Sequence, residues 1–404
     1  MKRTNLILTL ALALSVTSRA AVVGRVEIAP VSAIGAASAG ARAAAPSLAP
    51  ALTSPLLSAP SLGDRPLSAP SLAALPAADA SQSAKLAPTA KPEAFAPAAN
   101  EELPLHESLQ SLFDRLDASY PLPAASPAAS VRARIRSQLL SAAREMDEPE
   151  PSLLETVARE SDRALALIQK RLDAGDIDPA RTVRLSESEP EIPGDDHAHI
   201  GVYPVAADPF QWGHLLIALR AVGELGVDKV VFVLAGDDPR KPAMTPVAAR
   251  HPMGREVLDV FAPFFAYSPI AVGTTLDGET NIFRILALNP ERRVSAWYMV
   301  GDDHYRLVDK KGNPDTLPKL ERHYASAMGH SPALHQLKVA FIKRELPEHQ
   351  VPTTLEVRFL DHVGFEASST QVRGGRHTLM PFSAYDFARR NKGLYGVPPL
   401  DPKP

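Results

Sequence analysis

The heptapeptide Asp208-Pro209-Phe210-Gln211-Trp212-Gly213-His214 lies between an apolar run of strand character, Ile200-Gly201-Val202-Tyr203, and an amphipathic run of helical period from Leu215 to Leu225. His214 therefore sits at a strand-to-helix turn, where the first N–H groups of a helix lack backbone partners and carry about half a positive charge. Phosphates settle at such turns. Far down the chain, Ser368-Ser369-Thr370-Gln371-Val372-Arg373 supplies hydroxyls and a guanidinium, a set suited to holding a polyphosphate. Between the two segments short β-branched or aromatic runs alternate with helical stretches: Val230 to Leu234, Ala296 to Val300, Leu337 to Ile342 and Leu355 to Phe359. The spacing predicts an α/β fold over residues 195–400, a Rossmann-like, mostly parallel sheet with helices on both faces. In open sheets of this kind ligands bind beyond the carboxyl ends of the strands. Each segment singled out here falls at such an end.

The rest of the chain reads differently. Residues 101–185 carry leucines at helical spacing, as in Leu105, Leu109, Leu112 and Leu116, with breaks at Pro121 to Pro127 and Glu148 to Pro151. Two or three helices are expected, forming an accessory region with no constellation that suggests chemistry. Residues 21–100 are dominated by Ala, Pro, Ser and Leu, the composition of a disordered linker. Residues 1–20 join a charged start, Met1-Lys2-Arg3, to a short apolar run and a small-residue cleavage site at Ser18-Arg19-Ala20, the pattern of a secretory signal peptide. That apolar run is too short for a stable membrane span. The expected destination is the periplasm or cell envelope, with the cytoplasm as the alternative.

Composition removes several function classes. Cysteine is absent, so thiolate chemistry and disulfides are excluded, and the net charge of −3 gives no broad surface for nucleic acid. The histidines show no spacing for a protein-built zinc site. A Walker loop, a nucleophile elbow and a dinucleotide fingerprint are all missing from the sequence. Among the candidates that remain, Ser368-Ser369-Thr370 reads either as a phosphate cradle or as a helix N-cap cluster. Arg373, placed in the first turn after it, where a cation opposes the helix dipole, favours the anion. Asp237-Asp238-Pro239-Arg240-Lys241-Pro242 is a polar loop or a device that brings Lys241 over a phosphate, and Asp303 in Gly301-Asp302-Asp303 is a turn residue or an acceptor for ribose hydroxyls.

From His199 to Gly396 these segments are collinear with, and resemble, the bacterial nicotinate-nucleotide adenylyltransferases, nucleotidyltransferases marked by H-x-G-H and S-S-T-x-[IV]-R motifs. The matching residues are Asp208, Gly213-His214, the Ala235 to Lys241 loop, Gly301-Asp302-Asp303, Ser368 to Arg373, Leu379-Met380-Pro381 and Leu394-Tyr395. The resemblance implies attack by a mononucleotide phosphate on the α-phosphorus of ATP, with Mg²⁺ on the phosphates and release of pyrophosphate. It also implies that His214, Gln211, Arg373 and Lys241 serve the chemistry, while Asp208, Gly213, Asp303, Ser368, Ser369 and Thr370 bind the nucleotides. The implied partners are small-molecule nucleotides.

The chain departs from the family pattern in three places. Gln211 stands where the first motif histidine is expected, an exchange of a charge-assisted bond for a neutral one, on the order of 1 kcal/mol or fivefold to tenfold in rate. Pro204-Val205 stands where a glycine pair is usual, removing one backbone donor. The aromatic residue expected to stack on a pyridine ring is represented only by Tyr305. Gln211, Pro204 and the signal-like N-terminus support a second reading, a non-catalytic nucleotide-binding envelope protein of the same fold. A related cytidylyltransferase or phosphopantetheine adenylyltransferase is a third, against which Leu394-Tyr395 argues. Mass spectrometry of the mature protein is expected to find its N-terminus just after Ala20; a mature chain that retains Met1 contradicts export.

Overall fold

In the computed structural model of the chain, residues 103–192, 196–275, 277–326, 329–343 and 350–400 are described. The signal peptide and the linker read from residues 1–100 lie outside them. Three helices come first: α1 (Leu105–Ser119), α2 (Pro127–Glu145) and α3 (Pro151–Asp173). Next come β1 (Ala198–Val205), α4 (Trp212–Leu225), β2 (Lys229–Leu234), α5 (Val247–Asp259), β3 (Phe265–Ser268), α6 (Gly278–Ala287) and β4 (Val294–Gly301). The chain continues through α7 (Asp303–Arg306), α8 (Thr316–Ala325), β5 (His335–Lys343), β6 (Glu356–Asp361), α9 (Ser369–Arg373) and α10 (Phe382–Arg390). No described helix is long and apolar enough to cross a membrane.

The six strands form one sheet in the order β3-β2-β1-β4-β5-β6, and every neighbouring pair is parallel. The order reverses direction between β1 and β4, which makes the gap above that pair the topological switch point where ligands bind in such sheets. β1 follows β2 up to Val205 but follows β4 only up to Val202. Beyond Val202 the two central strands part. Pro204 lies in that splay, which explains how a residue without an N–H sits in a central strand: the ladder on its β4 side has already ended.

Both faces of the sheet are covered over its central strands, so β2 and β4 read as continuous apolar runs, while the edge strand β6 is mostly exposed. Along β2, Val230, Phe232 and Leu234 join the core shared with α1 to α5 and α10, while Val231 and Val233 join the core shared with α6 and α8. In β4, Trp297 and Met299 point to the first face, and Ala296, Tyr298 and Val300 to the second. The short strand β3 is absent from the sequence expectations. At four residues, lying between Pro263 and Pro269 and lacking a β-branched side chain, it carries too little periodicity to be seen.

The helices of residues 101–185 fall in the same compact unit as the sheet. Leu112, Phe113, Val131, Ile135, Leu154 and Leu165 are buried in the core that also holds Trp212, Leu216 and Leu219 of α4. Where α3 crosses α4, a Cβ added to Gly223 would stand 2.9 Å from Leu167 Cγ, so that glycine sets the approach of the two helices. Inside the three helices, Asp162, almost fully buried, receives Arg132 at 3.1 Å and Arg136 at 2.7 Å. Asp228, fully buried, accepts from the backbone N–H groups of Asp178 at 2.7 Å and His199 at 2.8 Å, and so ties the segment after α3 to the start of β1. Gly223→Leu is expected to lower unfolding stability by about 2 kcal/mol through overpacking at the α3–α4 crossing. Urea denaturation of the variant tests this, and an unchanged midpoint would show that α3 does not pack there.

Candidate functional site

A cleft of about 270 Å³ opens at the carboxyl ends of β1 and β4, where these strands part. Its floor is Tyr203 to Ala206, and its walls include Gln211, Gly213 and His214 at the start of α4 and Gly301, Asp303 and His304 at the end of β4. α4 begins at Trp212, three residues before the expected start, with Gln211 as an N-cap whose side chain does not cap it. The first turn of this helix therefore faces the cleft with its positive end uncapped, which suits an anion. Of the acids in Gly301-Asp302-Asp303, Asp302 is buried and bonded to Arg306 at 3.2 Å, while Asp303 is exposed in the cleft wall.

Gln211, nearly fully buried, reaches across to α9. With its amide oriented to satisfy both ends, its oxygen accepts from the Ser369 N–H at 2.6 Å and the Ser369 hydroxyl at 3.0 Å, and its NH₂ donates to the Ala367 carbonyl at 3.2 Å. Ser368 is the N-cap of α9 in a capping box with Gln371. Thus the first and third N–H groups of that helix are already satisfied by Gln211 and Ser368. Thr370 is exposed. The two motifs of the sequence meet, and they meet through hydrogen bonds to each other.

A second clasp joins them. Arg373 donates to the Asp208 carbonyl at 3.0 Å and lies 3.5 Å from the Asp208 carboxylate, which also accepts from the Thr245 N–H at 3.2 Å. Asp208 is buried, and its carboxylate serves these protein partners rather than the cleft. Arg373, still nearly half exposed, stands in the last turn of a five-residue helix, where the dipole favours a cation. The expectation that it opposes the dipole is corrected: α9 is too short to place it in a first turn apart from its last. Buried Tyr395 completes this corner; burial, and then the neighbouring Asp208 charge, push its hydroxyl above the usual tyrosine range.

Lys241 is exposed and lines a separate hollow with Asp237, Asp238 and Met244. In the same loop Arg240 clasps Asp238 at 2.9 Å and draws its carboxyl down to about 2. Tyr305, considered as a stacking residue, packs on Phe341 and Phe359 and accepts from the Val351 N–H at 2.7 Å, away from the cleft lining. The ring beside Asp303 in the cleft is His304, whose Nδ1 lies 4.0 Å from buried Glu279. His362, just after β6, lines the cleft as well. Neither His304 nor His362 belongs to a motif, although each directly follows a motif acid or a strand end.

One buried cation organises this end of the sheet. Arg250, with none of its surface exposed, donates to Ala206 and Ala235 at 2.8 Å, to Thr245 at 3.0 Å and to Gly236 at 3.2 Å. These carbonyls belong to the loops after β1 and β2 and to the approach to α5. His251 adds a contact to Ala235 at 3.0 Å, and burial lowers its pKa.

Across 179 residues, 43% of this chain and 84% of the relative, the sequence is 29% identical to a probable nicotinate-nucleotide adenylyltransferase of Thermus thermophilus. A probable nicotinate-nucleotide adenylyltransferase of Neisseria meningitidis matches at 28% over 202 residues, 48% of this chain and 98% of the relative. The chain is thus similar over about half its length to proteins named as nicotinate-nucleotide adenylyltransferases. No family model matches it. Among solved structures, Plasmodium falciparum nicotinic acid mononucleotide adenylyltransferase complexed with NaAD aligns at 10% identity and a TM-score of 0.35, covering 50% of this chain and 98% of that one. In this nucleotidyltransferase-like chain, Arg250→Met is expected to cost more than about 3 kcal/mol, because it strands buried carbonyls. Arg250→Lys should recover part of that loss in urea denaturation; equal stability of Arg250→Met and the parent would contradict the organising role.

Proposed function

We propose that the protein is an adenylyltransferase that joins ATP to nicotinate or nicotinamide mononucleotide, giving a dinucleotide and pyrophosphate. The observation that carries this reading is the convergence of Gly213-His214, from the β1–α4 turn, and Asp303, from the end of β4, on one cleft at the switch point of the sheet. The nicotinate-nucleotide adenylyltransferase relatives support the same reading. The mononucleotide phosphate is already ionised near neutral pH, so the reaction needs neither a general base nor a covalent nucleophile. It needs two anions aligned and the charge of the transition state stabilised. On this reading the start of α4 and His214 hold the phosphates of ATP, and Asp303 receives a ribose hydroxyl or a phosphate-borne metal; their common position in the cleft supports it. Asp303 is the one carboxylate among the described cleft-lining residues, which fits Mg²⁺ carried mainly by substrate phosphates. Bound there, the metal would supply charge neutralisation on the polyphosphate.

A second reading has its own observation. Gln211 and Ser369 are occupied with each other, Ser368 with Gln371 and Arg373 with Asp208, and Lys241 lies in a separate hollow, so the site holds a nucleotide with few of the cations a fast transferase uses. On that reading the protein binds nucleotide without turnover, in the cell envelope to which a signal peptide would direct it. A screen of ATP and Mg²⁺ with each mononucleotide, read as pyrophosphate release, separates the two. The transferase reading predicts turnover that falls on the order of 100-fold in His214→Ala and about fivefold to tenfold in Gln211→Ala. Folded protein that binds ATP but turns over none of the mononucleotides would leave the second reading standing and remove the first.

A further inference from the structure

The cleft is an unusual place for a polyphosphate in one respect. Among the described residues that line it there is no lysine or arginine; the groups able to carry positive charge are the imidazoles of His214, His304 and His362. His362 is the one whose protonation geometry the structure defines. It follows β6 directly, and its backbone N–H donates to the Lys343 carbonyl at 3.0 Å. Its Nδ1 lies 2.7 Å from the Val363 carbonyl oxygen. A carbonyl only accepts, so Nδ1 carries the hydrogen. The half-buried ring forms part of the wall between the cleft and an adjoining hollow of about 310 Å³ that runs to Ser368 and Gln371 at the start of α9.

A ring locked in this way has only one free nitrogen. When the ring is neutral, Nε2 shows a lone pair, which repels a phosphate oxygen; when the ring is protonated, Nε2–H becomes a charged donor. The fixed cations closest to this corner are already matched. Lys343 of β5 pairs with Asp361 at 2.9 Å, and Arg220 of α4 donates to the Asp361 carbonyl at 3.1 Å while bridging to Glu224 at 2.8 Å. The other titratable groups around the ring are His214, Asp303 and His304 in the cleft and Glu366 in the adjoining hollow. Charge for an incoming anion on this side must therefore come from the imidazole itself.

We propose that His362 is a further polyphosphate-binding residue of the cleft and that it binds only as an imidazolium, so that nucleotide binding takes up a proton at this ring. The inference rests on reading the cleft as a nucleotide site. Its test is calorimetric titration of the full chain with ATP and Mg²⁺ at pH 8, where free imidazole is largely neutral, in buffers of different ionisation enthalpy. Comparing proteins at one pH cancels the titration of ATP itself. His362→Asn keeps an amide able to donate to the Val363 carbonyl but has no atom at the Nε2 position. It should bind ATP about fivefold to twentyfold more weakly and take up close to one proton fewer per nucleotide. His362→Gln, which places a neutral donor near the Nε2 position, should recover part of the affinity without recovering the proton. A purely structural histidine would change neither proton count. Unchanged affinity and proton uptake in His362→Asn, with ATP still bound by the parent, overturns the assignment of His362 alone. No ATP binding by the parent overturns it together with the nucleotide reading of the cleft.

Discussion

The architecture of the cleft depends on one fully buried guanidinium. Where strands end and the chain turns into loops, backbone carbonyls lose the donors of the sheet ladder and need others. Arg250 collects carbonyls from the ends of β1 and β2 and from the approach to α5, while the nearest carboxylate, Asp237, stands 4.0 Å away. Burial lowers the pKa of the group, yet arginine remains charged over any ordinary pH range, so the site keeps a permanent cation beneath its floor. With those loops held, Pro204 and Ala206 can line an open cleft instead of collapsing into it.

Above that floor the two motifs are bound to each other before any ligand arrives. Gln211 caps α9 through Ser369, and Arg373 grips the Asp208 turn. A glutamine amide suits the first task well, because it offers an acceptor and donors in one plane to the Ser369 N–H and the Ala367 carbonyl. A histidine in its place would present its nitrogens on different edges of a ring. Gln211 therefore holds the two motifs rigidly to each other, and histidines outside the motifs, His304 and His362, line the cleft beside them.

Much of this was legible in the sequence. The apolar runs of β1, β2, β4 and β5 and the helical period of α1 to α4 announced the layered α/β fold, because strands covered on both faces need long apolar runs, and β6 showed as a short alternating run. The meeting of His214, Gln211 and Asp303 followed from motif collinearity and the strand-end rule. What stayed hidden depends on tertiary geometry. β3 is too short to show a period, and α9 is too short for a dipole argument about Arg373. Asp208 looked like a ligand group and is a buried clasp, and Tyr305 looked like a stacking residue and is packed between strands. For His362 the sequence signal is its position directly after a strand, where this class of sheet places its ligands.

The central claim is that a nucleotide binds where β1 and β4 part, with its phosphates between the start of α4 and the rim that carries His362. A crystal structure of the protein with a non-hydrolysable ATP analogue and Mg²⁺ tests it most directly. The account predicts phosphate oxygens within hydrogen-bonding distance of the Gly213 N–H group and of an imidazole lining the cleft, with Asp303 beside the ribose or the metal. A nucleotide seated instead in the hollow beside Lys241, with the cleft empty, would contradict it.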